Sequence, residues 1–229
     1  AMNMIGVLFS GLLFPMFARL LKEKKPIGGL LAFIKANAVM AIIDVTHPFA
    51  SEMSATAAQV CRQCGLPYWR YQRPQWQPTA EDDWQLFDDW KNLLQAVKGK
   101  HSLLLTVGQL PKDVLQAFGK GKQKQLLRSA VKPASALPNS MQWMQAIGPF
   151  ALADEVALMQ QYGIDALLSK MSGGAATQAK LIAARQLGIP VYLLARPKLE
   201  KADKEFSQLA QCRQFVLAHF SASDKDVGQ

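Results

Sequence analysis

Short apolar runs alternate with helix-length segments along most of this 229-residue chain. The clearest apolar runs lie at 41–45, 102–106, 164–168 and 191–194. Helix-length connections build a mainly parallel sheet, because parallel neighbours cannot be joined by a tight hairpin. The sequence therefore predicts an α/β fold. It also predicts a helix over about 81–97, where acidic residues would face the helix start, and one or two helices over 200–220.

One junction, residues 41–50, carries an unusual concentration of polar groups. A buried strand is predicted to end at Asp44, after a helix over about Gly28–Asn37, and Pro48 is placed to start the next helix. That helix should run from about Ser51 to Cys64, where Gly65 and Pro67 mark its end, and Tyr68–Tyr71 should form the following strand. Ligands collect where parallel strands end and helices begin, because N–H groups at helix starts are unpaired. Thr46 adds a hydroxyl, and His47 adds an imidazole that can titrate near neutral pH. The pattern favours a ligand-facing loop, and the alternative is that Thr46 merely caps the helix while His47 packs against the chain.

A second junction, residues 169–174, reads Ser-Lys-Met-Ser-Gly-Gly between a predicted strand and a predicted helix. Paired glycines let the backbone approach a ligand closely. Ser172 and Thr177 add hydroxyls, and Lys170 adds a positive charge. This combination suits a phosphate or a carboxylate, although it matches neither a P-loop nor a G-x-G-x-x-G fingerprint. The alternative is a glycine-rich turn with a capping serine.

These two segments belong to a longer series of motifs in a fixed order. The series comprises residues 44–50, 67–74, 106–108, 148–150, 169–174, 188–191 and 196–197. Taken together, the motifs resemble the precorrin-6A reductase family of cobalamin biosynthesis. Several motifs in register, across roughly residues 27–197, are far more specific than any one of them.

The resemblance implies two Rossmann-like domains with mainly parallel sheets and a cleft between them. A plausible boundary at Lys98-Gly99-Lys100 gives an N-terminal domain of residues 1–98, truncated at its start, and a C-terminal domain of residues 99–229. The resemblance also implies reduction of one double bond in a precorrin-6A-type macrocycle with NADPH or NADH. Two departures stand out: the family's opening strand and Gly-Gly-Thr-type loop are not recognisable before Ile27, and Met171 stands where the family tends to have Asn.

Residue roles follow from the two junctions and the resemblance. His47 and Lys170 are the candidate catalytic residues, since they are the motif residues able to donate a proton, and no metal is proposed. The candidate substrate-binding residues are Asp44, Thr46, Ser51, Arg128 and Ser169. The candidate cofactor-binding residues are Thr106, Gly108, Ser172, Gly173, Gly174 and Thr177. Arg70, Arg73, Arg128 and Arg196 are further candidates for clamping carboxylates, with surface salt bridges as the alternative for each.

Charge is the compositional feature that narrows the partners. The formal net charge is +9 and the pI is about 9.5, which favours anionic partners. A tetrapyrrole with several carboxylate arms fits this charge. Nucleic acid is disfavoured because no basic stripe is interleaved with aromatic residues. The apolar segment at 4–18 is short for a bilayer span, so we expect no membrane partner. It also lacks the basic residues that precede the apolar core of a signal peptide. We therefore expect a cytoplasmic protein, either a monomer or a weak homodimer.

Cys61 and Cys64 have the spacing of a redox motif. Their position at the end of a predicted helix favours core packing instead, because redox cysteines lie at helix starts. Two other functional classes stay open. One is a shortened, non-catalytic relative that binds tetrapyrrole or nucleotide. The other is a different Rossmann-like enzyme such as a methyltransferase, which would need a glycine-rich loop that is not visible here.

Overall fold

A computed structural model describes residues 7–8 and 26–223 of the chain. The chain forms two compact units, one built from residues 1–74 and 197–229 and the other from residues 75–196. This division differs from the expected one at residue 98. Residues 75–98 group with the second unit, and the C-terminal segment returns to the first. Within the described residues, no helix is both long and apolar enough to span a bilayer.

The first unit contains a four-stranded parallel sheet in the order β1-β2-β3-β10. Its strands are β1 (Val7–Leu8), β2 (Ile42–Asp44), β3 (Tyr68–Tyr71) and β10 (Lys204–Phe206). Its helices are α1 (Pro26–Ala36), α2 (Ser51–Cys64) and α7 (Leu209–Ser223). The helices that precede and follow β2 were predicted from local signals, and α2 has the expected bounds.

The first sheet is covered by apolar side chains on both faces. Ile42 packs in one core cluster with Leu30 of α1 and Val60 of α2. Ile43 points to the opposite face, because side chains alternate along a strand, and it packs in a cluster with Trp69. Aromatic residues of α7 cover this second face. A sheet buried on both faces explains why β2 reads as a continuous apolar run.

Burial also settles how the cysteine pair is used. Cys61 is buried in the core between α1, α2 and the sheet, and it is a free thiol. Burial raises the pKa of the Cys61 thiol to about 12. A thiol with this pKa stays protonated at neutral pH, which is the opposite of a redox-active cysteine. The packing interpretation of the motif is therefore confirmed.

The second unit contains a six-stranded parallel sheet in the order β4-β9-β8-β5-β6-β7. Its strands are β4 (Trp84–Phe87), β5 (Ser102–Thr106), β6 (Lys124–Ser129), β7 (Met141–Gln145), β8 (Ala166–Lys170) and β9 (Val191–Leu194). Its helices are α3 (Trp90–Ala96), α4 (Lys112–Gly119), α5 (Leu152–Gln161) and α6 (Ala179–Gln186). The α/β class with two mainly parallel sheets is confirmed.

The predicted helix over residues 81–97 is wrong in its first half, where the chain forms β4 and pairs with β9. The carboxylate of Asp82 accepts hydrogen bonds from Thr79 and from the Arg185 guanidinium, so it ties down a connector. The helix start lies at Asp89, whose carboxylate accepts from the backbone N–H of Asn92 at 2.8 Å. Of the acidic residues in this segment, Asp82 stabilises a turn before β4, whereas Asp89 is the N-cap of α3.

The helical prediction over residues 200–220 is also wrong at its start, where β10 pairs with β3. The strand was not recognised because charged residues, which are uncommon in buried strands, begin this segment. Asp203 accepts from the backbone N–H of Tyr68 at 2.7 Å, and Glu205 accepts from the Arg70 guanidinium at 2.7 Å. These side chains pair with the neighbouring strand, and such pairing cannot be read from local sequence.

The expectation that no first strand precedes Ile27 needs correction. Val7–Leu8 pairs in parallel with Ile42 and Ile43, so this segment occupies the edge position beside β2. At these two residues the N-terminal segment takes the place of a first strand beside β2. The turn that would follow β1 lies outside the described residues, as does the tail after Ser223.

Candidate functional site

The loop between β2 and α2 is held by short-range backbone hydrogen bonds. The N–H of Ala50 donates to the carbonyl of His47 at 2.7 Å, and the N–H of Phe49 donates to Nδ1 of the His47 ring at 3.2 Å. His47 itself is exposed and Pro48 is buried. Because Nδ1 accepts a hydrogen bond, the neutral ring carries its proton on Nε2. The loop therefore carries an exposed imidazole in the first unit.

Asp44 is the buried anchor of this loop, with 2% of its surface exposed. Its Oδ2 atom accepts from the hydroxyls of Ser54 and Tyr68, both at 2.6 Å, and its Oδ1 atom accepts from the backbone N–H of Thr46 at 2.9 Å. Burial alone would raise the pKa of Asp44, but these hydrogen bonds hold it below its ordinary value. Asp44 therefore stays ionised and fixes the backbone from which the loop side chains project.

Arg70 completes the charge balance behind the loop. It is 3% exposed, its Nε lies 3.5 Å from Asp44 Oδ2, and its guanidinium also donates to the Tyr68 hydroxyl at 3.0 Å and to Glu205. Burial acts to lower the pKa of Arg70, and its bonds with Tyr68 and the two carboxylates raise it above the ordinary value. Its predicted role as a carboxylate clamp stays untested, and the contacts observed make it a structural partner of Asp44.

Thr46 does not cap α2 with its side chain, since the N-cap position is Ala50 and no side chain bonds there. The Thr46 hydroxyl instead lies 3.3 Å from the Ser54 hydroxyl. A cavity of about 240 Å³ opens beside this loop, lined by Val45, Thr46, His47, Pro48, Tyr71 and Arg73. Ser51 is the half-buried first residue of α2. The structure thus brings together the four site residues predicted in the first unit: Asp44, Thr46, His47 and Ser51.

The second predicted group lies along one edge of the six-stranded sheet, where β6, β5 and β8 end side by side. Thr106 pairs in register with Ser169, and Leu105 pairs with Leu127, the residue before Arg128. Thr106, Arg128 and Ser169 therefore occupy three neighbouring strand ends. The Thr106 hydroxyl donates to the Leu168 carbonyl at 3.2 Å, and Ser169 is fully buried. Gly108, with a φ of +71°, makes the turn after β5.

The segment after β8 turns sharply through Gly173 and Gly174, whose φ values are +69° and +87°. Non-glycine residues rarely adopt this conformation, so both glycines are required by the backbone. Arg196 donates to the carbonyls of Met171 and Ser172, at 2.9 and 3.1 Å. The indole of Trp76 donates to the carbonyl of Gly174 at 2.9 Å. Arg196 is therefore placed as a brace for this turn, alongside its predicted role as a clamp.

The remaining predicted residues of the second unit flank this turn. Lys170 is half-buried at the end of β8, and burial lowers the pKa of its ammonium group. Ser172 is buried, and Thr177 ends the short 3₁₀ turn Ala175–Thr177 that leads into α6. Met171 packs in the main core of the unit. The structure brings Ser169, Lys170, Ser172, Gly173, Gly174 and Thr177 into one strand-to-helix connection.

A buried charged cluster beside this connection was not predicted as such from the sequence. Arg128 donates to Glu155 at 2.8 Å and stacks over the ring of Phe150, with 4.1 Å from the guanidinium carbon to the ring centroid. Lys180 of α6 is 5% exposed and lies 5.4 Å from the centroid of the Trp76 ring. The other carboxylate oxygen of Glu155 is buried without a hydrogen-bond partner among the described residues. Arg128 was predicted as a candidate carboxylate clamp and substrate contact, whereas Glu155 and Lys180 give no local signal.

Lys180 should make the stability of the protein depend on pH. Burial first, and the nearby Arg128 charge second, lower the pKa of Lys180 from 10.5 to about 7. Between these values the unfolded chain binds a proton that the folded chain does not, so stability rises with pH. We expect wild type to gain up to about 1 kcal/mol per pH unit relative to Lys180→Met between about pH 7 and pH 8.5, measured by urea unfolding. Parallel pH profiles of the two proteins would contradict the buried, neutral amine.

The fold and these two loops define a class: an α/β protein of the Rossmann-like type, with polar groups gathered at the carboxyl ends of parallel strands. A family model described as precorrin-6x reductase CbiJ/CobK matches residues 18–217. The chain belongs to this family.

Individual relatives agree with this assignment. A precorrin-6A reductase of Rhodococcus erythropolis is 37% identical over 186 residues, which cover 80% of this chain and 73% of the relative. One from Mycobacterium tuberculosis is 38% identical over 176 residues, covering 75% of this chain and 69% of the relative. A solved structure described as CobK precorrin-6A reductase superposes with a TM-score of 0.76 at 32% identity, covering 84% of this chain and 76% of that one. The family predicted from the sequence motifs is therefore confirmed.

Proposed function

We propose that this chain reduces one double bond of a precorrin-6A-type macrocycle, with NADPH or NADH as the reductant, during cobalamin biosynthesis. The observation that carries the proposal is the family match over residues 18–217, which includes both strand-end loops. Precorrin-6A reductases among the relatives match most of this chain at more than 30% identity. A reductase of this family needs a reductant, and the choice between the two nucleotides is left to experiment.

The turn after β8 fits a nucleotide phosphate. Its two glycines have positive φ and carry no β-carbon, so an anionic group can approach the backbone closely. The hydroxyls of Ser172 and Thr177 and the half-buried ammonium group of Lys170 lie in the same connection. We assign cofactor binding to Ser172, Gly173, Gly174 and Thr177, together with Thr106 and Gly108 at the neighbouring strand end. When bound, the nicotinamide supplies the hydride.

Protonation of the second atom of the reduced double bond falls to the protein or to solvent. The loop after β2 offers His47, whose Nδ1 accepts the N–H of Phe49, so that the neutral ring carries its proton on Nε2. We assign His47 as the proton donor, with Lys170 as the other candidate. Asp44 positions the loop, because its carboxylate accepts a hydrogen bond from the N–H of Thr46 at 2.9 Å. Ser51, Arg128 and Ser169 complete the proposed substrate contacts, and a single cleft shared by both loops stays a prediction.

Anionic substrate arms give the proposal an electrostatic test. A protein of net charge +9 should capture a polycarboxylate partly through long-range attraction, and salt screens that attraction. We expect the purified chain to oxidise NADPH or NADH in the presence of precorrin-6A under anaerobic conditions, with the product two mass units heavier. We also expect KM to rise several-fold between about 10 mM and about 300 mM ionic strength.

Control reactions separate this activity from its alternatives. Oxidation of the nucleotide without the macrocycle gives the background rate at each ionic strength. KM for the macrocycle is measured at saturating nucleotide, because NADPH and NADH are themselves anionic and their binding also depends on salt. Binding of the macrocycle or the nucleotide without turnover would support the non-catalytic relative and contradict the proposed reduction. Separate titrations with NADPH and NADH decide which nucleotide is used.

A further inference from the structure

The second unit has a basic cavity at the end of its sheet where the strands begin. The cavity has a volume of about 750 Å³ and is bordered by the turns that precede β5, β6 and β8. Its lining includes Lys98, Lys100, His101, Lys122, Lys124 and Tyr162. The loops assigned to the reaction follow strands β5 and β8. The cavity therefore lies at the opposite end of the same sheet and is not part of the proposed reductase site.

Backbone pairing holds the lysine-bearing turns side by side. Lys124 begins β6 and pairs in register with Ser102 of β5, and its N–H donates to the carbonyl of His101 at 2.8 Å. The side-chain amide of Gln123 donates to the carbonyl of Val97, which also accepts from the N–H of Lys100 at 3.0 Å. The two turns are thus bonded to each other directly. The lysines of the two turns are therefore held on one side of the sheet by backbone hydrogen bonds.

The cavity keeps a positive charge after its local environment is counted. Among the described residues that line it, none is acidic. Asp165, the residue before β8, lies next to the lining and keeps its negative charge while it accepts from the backbone N–H groups of His101 and Ser102, at 2.8 and 2.9 Å, and contacts the His101 ring. Helices α3, α4 and α5 end in the bordering turns, and each C-terminus contributes about half a negative charge. Four ammonium groups, less the Asp165 carboxylate and the three helix ends, leave an excess of roughly one to two positive charges.

We propose that this cavity is a binding site for a compact polyanion that carries two or more negative charges on phosphate or carboxylate groups. Lysine ammonium groups are mobile point charges that accept anionic oxygens from many directions, so they suit either chemistry. The volume admits a molecule larger than a single phosphate ion. This site lies beyond the proposed reduction and does not rest on it.

Calorimetric titration of the full chain tests the proposal, with inorganic tripolyphosphate and butanetetracarboxylate as separate probes at low ionic strength. We expect saturable binding of at least one probe, and the part of it that is lost when cavity lysines are replaced is distinct from any binding at the turn after β8. Binding of tripolyphosphate alone identifies a phosphorylated ligand, and binding of both identifies general polyanion recognition. The Lys122→Gln/Lys124→Gln variant should bind about tenfold or more weakly, because each ammonium contact contributes several-fold even under water-like screening.

The Lys91→Gln/Lys112→Gln variant is the matched control, because it removes the same charge from exposed positions outside this cavity. Its affinity should change by less than about twofold. Equal weakening in the two variants would show a general effect of net charge and overturn the site, as would the lack of saturable binding by both probes. Amide NMR shifts at Gly99, Gly121 and Gly163 should move on titration. None of these readouts depends on reductase activity.

Discussion

Replacing Asp44 with Asn should lower the free energy of unfolding by about 3 kcal/mol or more. The substitution removes the charge that faces the buried Arg70 guanidinium, and it puts an amide N–H₂ among groups that donate to Asp44, namely Ser54, Tyr68 and the Thr46 backbone. Breaking one side of a buried ion pair is costly, because the remaining charge cannot recover its hydration. Urea unfolding monitored by tryptophan fluorescence and circular dichroism measures the change.

Glu205→Gln is the matched control, because Glu205 also pairs with Arg70 but its side chain is 58% exposed. We expect this variant to lose less than about 1 kcal/mol. The lowered pKa of Asp44 gives a second check: its contribution should be full above the ordinary value of 3.8 and should fade as pH drops through the lowered folded value. The gap between wild type and Asp44→Asn should therefore narrow in acid. Equal losses for the two variants would contradict the buried anchor.

Replacing His47 should reduce kcat by about 10²- to 10⁴-fold if its imidazole protonates the macrocycle. His47→Asn is the informative variant, since an Asn side chain can still accept the Phe49 N–H and so keep the turn that His47 Nδ1 now holds at 3.2 Å. Its amide cannot transfer a proton to the substrate. We expect a melting temperature within a few degrees of wild type, a large fall in kcat and a KM that changes little. The measurement is steady-state reduction of precorrin-6A.

Lys170→Ala separates proton donation from charge-based capture. If Lys170 holds an anionic group in both the ground and transition states, KM should rise while kcat stays near that of wild type. A kcat for His47→Asn equal to that of wild type would show that His47 only shapes its loop and that the proton comes from Lys170, solvent or substrate. Unfolding of Lys170→Ala would instead make that lysine a structural residue.

Local signals account for the parts of the fold that could be predicted. The helix over Ser51–Cys64 and the strand over Tyr68–Tyr71 have their expected bounds, because periodicity, Gly65 and Pro67 all mark the same boundaries. Gly65 has a φ of +66° and donates its N–H to the Cys61 carbonyl, as expected for a helix end. Agreement between independent local rules made these elements predictable.

Long-range pairing explains what could not be predicted. Strands β4 and β10 owe their conformation to neighbours far along the chain, and their acidic residues imitate helix starts. The same holds for the candidate site. His47 and the Gly173–Gly174 turn were predicted from their own motifs, whereas the partners of Asp44 and Arg128 come from elements 10 to 27 residues away. A single sequence shows which residues are polar, but it does not show which of them form hydrogen bonds or ion pairs in the folded protein.

The place of β10 in the first sheet has a consequence for how the protein is made. Glu205 contacts Arg70 across 135 positions of the chain, so the first sheet lacks its last strand until residues 204–206 have been synthesised. The second unit is continuous in sequence, from Gln75 to Arg196, and its strands are all available earlier. Closing a long loop is slow and domains tend to fold as units during translation. We therefore expect the second unit to fold on the ribosome first, while the sheet of the first unit is completed only after β10 has emerged.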